Sequence, residues 1–138
     1  PKDPEYHYGM LNRDLSPKPA IAAYRTIAKA LDGASFVRWL KFNDKSLRGL
    51  LFNTPDGPLA ILWYREDGYL LSQKSDSYTS PEPWVEYWSS TTDNSFSASG
   101  DSATVIDCIG RKSSVKAAGG KVTLTLNGSP VLVYGLSF

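Results

Sequence analysis

The residues best suited to chemistry lie between positions 72 and 102, where aromatic side chains are mixed with hydroxyls and carboxylates. Of these 31 residues, 13 are Ser or Thr. Flat aromatic rings stack on the CH-rich faces of sugar rings, while nearby polar groups hydrogen-bond to the hydroxyls. In PWVEYWSS, Trp84 and Trp88 are four residues apart, so an extended backbone would place them on one side. The pattern predicts a carbohydrate platform made of Tyr78, Trp84, Glu86, Tyr87 and Trp88.

The alternative for these aromatic rings is purely structural. They would then pack on the body of the protein as a lid, and no sugar would contact them. Both hypotheses stay open, because the sequence does not show which way the rings point.

Catalytic side chains are not evident in the sequence. Glycoside hydrolysis needs two carboxyl groups at a defined separation. Glu82 and Glu86, which flank Trp84, are the closest such pair beside aromatic residues, but most of the 14 acidic residues are scattered in turns. A His-based triad could use only His7, which has no nucleophile motif near it. We therefore assign no catalytic residue.

Metal and thiol chemistry are equally sparse. Asp56, Asp93, Asn94 and Asp101 are loop oxygens that a structural calcium ion could use, but they form no EF-hand pattern. No metal ligand is assigned, and structural calcium is the one cofactor considered. The single cysteine, Cys108, follows an apolar run and is predicted to be a buried, inert thiol.

Charge and hydropathy narrow the classes of partner. The chain has 138 residues, with 15 Lys and Arg against 14 Asp and Glu. This balance gives no basic excess of the kind that nucleic acid attracts. No apolar run approaches the roughly 18 residues that span a membrane. We therefore expect neither nucleic acid nor membrane as a partner.

One helix is predicted, over residues 17–32. Ser16 could cap its first turn and Pro17 suits the first helical position. Apolar residues recur at spacings of three and four along one stripe, and Gly33 provides a helix stop.

After Gly33 the pattern changes to short apolar runs separated by turn signals such as Pro-Asp-Gly and Asn-Gly. The predicted strands are 36–42, 47–53, 58–64, 69–73, 103–109, 121–126 and 130–136, with short strands at 84–88 and 94–98 inside the Ser/Thr-rich stretch. This order favours a mainly β fold, an antiparallel two-sheet β-sandwich with one N-terminal α-helix packed against it.

The strand at 58–64 is apolar on both faces. A partner sheet can cover one face, and we expect the helix at 17–32 or a neighbouring domain to cover the other. Trp39 and Trp63 lie in strands predicted to form the core, at 36–42 and 58–64, and are predicted to be packing residues.

The segment YGMLNRDLSPKPAIAAYRTIAKAL, followed by about a hundred β-rich residues, resembles the C-terminal region of certain (β/α)8-barrel glycoside hydrolases. Residues 6–11 match the last barrel strand and 17–31 the last barrel helix. VIDCIGRK (105–112) and KVTLTLNGSPVLVYGL (121–136) resemble a strand-turn and the closing hairpin of an accessory β-sandwich.

The resemblance implies a division into residues 1–33, from the catalytic barrel, and 34–138, a β-sandwich accessory domain. The catalytic carboxylates of such enzymes lie on earlier barrel strands, so none is carried over. The implied function is non-catalytic: the sandwich stabilises or orients the barrel, its partner, in an extracellular or periplasmic enzyme.

Two alternatives remain. The chain could be an autonomous carbohydrate-binding module that contacts a polysaccharide through Trp84, Tyr87 and Trp88. It could also be a glycosidase active in its own right, which the lack of a catalytic pair disfavours.

Overall fold

The structure, a computed structural model, describes residues 9–65 and 91–138. One helix precedes eight strands: α1 (Pro19–Ala30), β1 (Ser35–Trp39), β2 (Leu47–Thr54), β3 (Gly57–Tyr64), β4 (Thr92–Ser97), β5 (Ser102–Ile106), β6 (Lys112–Lys116), β7 (Lys121–Leu126) and β8 (Val131–Tyr134). The predicted strands at 69–73 and 84–88 lie outside the described residues.

The strands form two antiparallel sheets, which confirms the predicted fold class. A six-stranded sheet has the order β1-β2-β3-β8-β5-β6, and β4 pairs with β7 in a two-stranded sheet. The core between the sheets includes Leu62 and Val133 from the large sheet and Val122 and Leu126 from the small one. Along β7, buried and exposed residues alternate strictly, as its sequence predicts.

Strand β3 is covered on both faces, as its two-sided apolar pattern requires. Ala60 and Leu62 pack into the core between the sheets. Leu59 and Ile61 belong to a second cluster on the opposite face, where Ile27 and Leu31 pack against them. The prediction that the helix covers this face is confirmed, and we call this face the helix side of the sheet.

The helix lies close to the turn that joins β5 to β6. A Cβ atom at Gly110 would lie 2.9 Å from Oγ1 of Thr26, and Gly110 has a φ of 93°. Glycine adopts this conformation without a steric penalty and leaves room for the helix.

Three local predictions were wrong. Helix α1 begins at Pro19 after Lys18, and no side chain caps it. Ser16 instead belongs to the preceding turn, where its hydroxyl hydrogen-bonds to the Asp14 carboxylate at 2.5 Å. Strand β6 was not predicted, because its sequence KSSVK has one apolar residue. Cys108 is only partly buried, since it follows the end of β5 in a turn.

Candidate interaction surfaces

The predicted sugar platform cannot be placed on this fold. Tyr78, Trp84, Glu86, Tyr87 and Trp88 lie outside the described residues, as does Glu82. Their role stays a prediction. The described residues do show two surfaces on which large apolar side chains are exposed.

The first is the helix surface, formed by Met10, Leu11, Leu15 and Tyr24. Leu15 is 75% exposed and Tyr24 is 65% exposed. The helix contacts the sheet through Ile27, Ala30 and Leu31, which lie at its C-terminal end. Its N-terminal half carries Tyr24 and is preceded by the other three residues. No residue of α1 is buried, so the helix surface is available for a further packing partner.

Leu15 combines an exposed side chain with an unusual backbone conformation. Leu15 has a φ of 66°, in the left-handed region that a leucine rarely adopts. The turn around it is fixed by hydrogen bonds: the N–H of Leu15 donates to the Asn12 carbonyl at 3.0 Å, and the N–H of Asn12 to the Ser16 carbonyl at 2.8 Å. Hydrogen bonds from the Ser16 side chain and backbone also hold the pKa of Asp14 below its ordinary value of 3.8.

The second is the β1 surface, formed by Phe36 and Trp39 with Phe52 and Trp63 behind them. The Phe36 and Phe52 ring centroids are 5.5 Å apart, and those of Trp39 and Trp63 are 6.4 Å apart, both edge to face. Phe36 is 53% exposed and Trp39 is 59% exposed. The prediction that Trp39 is a core residue was therefore wrong, because β1 is an edge strand; Trp63, one strand further in than β2, is partly buried.

A bulge explains why Phe36 and Trp39 share a side of the sheet. Residues three apart on a regular strand point to opposite faces. In β1 the register shifts between Phe36 and Arg38, so that Phe36 pairs with Phe52 while Trp39 pairs with Leu50. Phe52 and Leu50 lie on the helix side of the sheet, so Phe36 and Trp39 lie on that side as well.

An open cleft of about 470 Å³ adjoins this strand. It is lined by Arg38, Trp39, Leu40, Lys41, Phe42 and Phe138, and we call it the β1 cleft. Its aromatic wall continues into the core, because Phe96 makes edge-to-face contacts with Phe42 and with Phe138 at centroid distances of 6.1 and 6.3 Å. The cleft therefore combines a supported aromatic lining with two cations.

The outer face of the small sheet is different in chemistry. Ser95 and Thr123 share a hydrogen bond of 2.9 Å, and the Thr125 hydroxyl donates to the Asp93 carboxylate at 2.6 Å. This face presents hydroxyls and charges, with no aromatic ring among β4 and β7 residues on that side. It is suited to contact with water.

The described residues offer no metal centre. Among residues 9–65 and 91–138, no three His, Cys, Asp or Glu residues come together where they could hold a metal ion. Of the residues considered for calcium, Asp93 accepts the Thr125 hydroxyl instead.

Asp107 is the described carboxylate with the most hydrogen bonds, and it stabilises the turn between β5 and β6. Asp107 is ion-paired with Arg111, at 2.5 Å between Oδ2 and Nε, and its Oδ1 accepts the N–H groups of Ile109 and Arg111. Partial desolvation raises the pKa of Asp107, but these hydrogen bonds and the Arg111 charge outweigh it and hold the pKa below 3.8.

Among residues 9–65 and 91–138, no helix is both long and apolar enough to cross a membrane.

Sequence reasoning missed the β1 surface and the β1 cleft. The signal is present in FVRWLKF, where three large aromatics and two cations fall within seven residues. It was interpreted as core because the strand order, which puts β1 at an edge, is not visible in the sequence.

Comparison with known proteins supports the fold. No protein-family model and no curated protein matches the chain. A search of solved structures finds a family 39 glycoside hydrolase from the gut symbiont Bacteroides cellulosilyticus WH2, with a TM-score of 0.62 and 21% sequence identity. The match covers 93% of this chain but only 22% of that chain. The chain thus shares its fold with one region of a much longer glycoside hydrolase.

Proposed function

We propose that this chain is a non-catalytic β-sandwich accessory region of a glycoside hydrolase, which stabilises or orients the catalytic barrel. The observation that carries the proposal is the structural match, in which 93% of this chain corresponds to 22% of a glycoside hydrolase. In this proposal residues 1–33 belong to the barrel and residues 34–138 form the accessory domain.

The helix surface belongs to residues 1–33, and in this proposal it is the contact on which the rest of the catalytic barrel packs. Burying a side chain such as Leu15 is worth about 1.5–3 kcal/mol, and a leucine in the left-handed region costs about 1–2 kcal/mol. In an isolated domain Leu15 is therefore unfavourable in two ways, because its apolar side chain stays in water and its backbone lies in the left-handed region. A neighbouring domain that buries Leu15 and Tyr24 offsets both costs, while Ile27 and Leu31 hold the same helix to the sandwich.

The acidic residues support a non-catalytic role. Every acidic side chain among the described residues is an aspartate. Asp14, Asp44 and Asp107 accept backbone N–H groups of the turns in which they lie. Asp93 is hydrogen-bonded to Thr125 on the outer face of the small sheet. These partners describe carboxylates that stabilise local structure.

The test applies the same substitutions in two contexts. Leu15→Asn combined with Tyr24→Ser removes the apolar side chains, and Asn tolerates the left-handed backbone. In the isolated 138-residue chain, the midpoint of thermal unfolding should stay the same or rise. In the full-length polypeptide to which the chain belongs, calorimetry should show a lower midpoint and earlier separation of the barrel transition.

Lys112→Ser on β6 is the matched control, and it should change neither midpoint. An equal effect of the double substitution in both contexts would contradict docking through the helix surface. Purified 138-residue chain should release no sugar from xylan, β-glucan or mannan, and reproducible release would overturn the non-catalytic role.

A further inference from the structure

We propose that the β1 cleft binds an acidic oligosaccharide, whose sugar rings stack on Trp39 and whose carboxylate or sulfate groups meet Arg38 and Lys41. The proposal uses a surface separate from the helix surface, so it does not depend on docking of a barrel. It also names a different set of residues from the predicted platform at 78–88.

Trp39 has the properties of a stacking residue. Its ring meets Trp63 edge to face, which fixes its orientation, yet the residue remains 59% exposed. A rigid, exposed indole loses little conformational freedom when a sugar binds. Phe42 and Phe138 extend the apolar lining of the cleft and are themselves supported by Phe96.

Arg38 and Lys41 give the cleft its charge. Among residues 9–65 and 91–138, neither cation has an ion-pair or hydrogen-bond partner, and the described ion pair is that of Asp107 with Arg111. The nearest acidic residue in sequence, Asp44, accepts the N–H of Ser46 at 2.8 Å. Two unpaired cations beside an exposed indole complement an anionic sugar better than a neutral one.

The backbone of β1 supplies a third element. β1 is paired with β2 alone among the described strands, so the backbone groups on its outer edge have no strand partner. Such N–H and C=O groups can hydrogen-bond to sugar hydroxyls. Arg38 and Trp39 pair with Leu51 and Leu50, which lie on opposite faces of the sheet, so the two residues line the cleft from the two sides of the edge strand.

Calorimetric titration of the 138-residue chain tests the proposal with three probes. These are an oligogalacturonate, which carries carboxylates, a heparin-derived oligosaccharide, which carries sulfates, and neutral xylohexaose. At least one acidic probe should bind, with an affinity about fivefold or more above that of xylohexaose at low salt. The first two probes show whether carboxylate or sulfate is the preferred anion.

Two variants locate the site. Trp39→Ala should weaken binding about tenfold. Arg38→Gln with Lys41→Gln should weaken it about fivefold and remove most of its salt dependence. Circular dichroism melting establishes that each variant is folded.

Two controls match these variants in residue type. Tyr24→Ala removes an exposed aromatic from the helix surface, and Lys112→Gln with Lys116→Gln removes two cations from β6; neither should alter binding. The proposal is overturned if no acidic probe binds, if Trp39→Ala leaves binding unchanged, or if the β6 control weakens binding as much as the cleft variant.

Discussion

The two edge strands of the six-stranded sheet are built from opposite kinds of residue. β6 has the sequence KSSVK, with Lys112 and Lys116 at its ends and Ser113 and Ser114 between them. β1 has the sequence SFVRW, and all five of its residues are exposed. Lysines on an edge discourage pairing with another chain, whereas an exposed apolar edge invites contact. From this difference we expect β6 to face water and β1 to face a partner.

Each half of the sheet that leads to these edges contains one tightly packed glycine, and the two glycines have different kinds of neighbour. Near β6, a Cβ atom at Gly135 would lie 2.8 Å from the backbone carbonyl of Ser102. Near β1, a Cβ atom at Gly49 would approach side-chain atoms of Leu62, Leu40 and Phe42, at 2.9–3.1 Å. The closest neighbours of Gly135 are therefore backbone atoms, and those of Gly49 are side-chain atoms.

Replacing these two glycines gives the largest expected effects. Gly135 has a φ of 88°, so Gly135→Ala combines backbone strain with a backbone clash. It should lower the free energy of unfolding by about 2–4 kcal/mol in urea titrations. Gly49→Ala should cost about 1–2 kcal/mol, because side-chain ends can shift. Equal losses would contradict the difference between backbone and side-chain neighbours at these two glycines.

Exchanging the character of the two edges should change self-association in opposite directions. Val37→Lys places a charge on β1 and should weaken self-association of the 138-residue chain by about tenfold. Lys112→Val with Lys116→Val makes β6 apolar and should strengthen it. Sedimentation velocity over a concentration series measures both. Two results would contradict self-association through the β1 edge. One is a wild-type chain that is monomeric, and the other is self-association that Tyr24→Lys abolishes.

The parts of this fold that were predictable from the sequence are those with a strong local period. The alternation in KVTLTL fixed the buried face of β7, and the two-sided apolar pattern of β3 required cover from the helix. Strand β6 was not predictable in this way. Its single apolar residue gives no period, and it forms a strand through its pairing with β5.

The candidate cleft depended on information that no local pattern holds. Phe36 and Trp39 share a face only because of the bulge opposite β2, and Trp39 is exposed only because β1 lies at an edge. Strand order and register arise from contacts between distant residues. The aromatic stretch at 78–88 had the stronger sequence signal, yet it lies outside the described residues, so its role stays a prediction.

The smallest expected effect on stability comes from the charge of Asp107, in the turn before β6. Because the folded state holds the pKa of Asp107 below 3.8, the ionised carboxylate stabilises the fold above about pH 4, and this stabilisation is lost as the pH falls through the folded pKa. Asp107→Asn should therefore lower the free energy of unfolding at pH 7 by about 1 kcal/mol or less, since Arg111 is exposed. The difference from wild type should shrink toward pH 2.

Arg111→Gln is the companion variant, because it removes the cation and leaves the carboxylate. It should raise the pKa of Asp107 toward its ordinary value and reduce the same pH-dependent difference, measured by urea unfolding between pH 2 and pH 7. If the Asp107→Asn deficit did not shrink as the pH falls, the stabilisation would come from the shape of the turn and not from the charge of the carboxylate. The charge of Asp107 would then add nothing to the difference between the β6 and β1 edges.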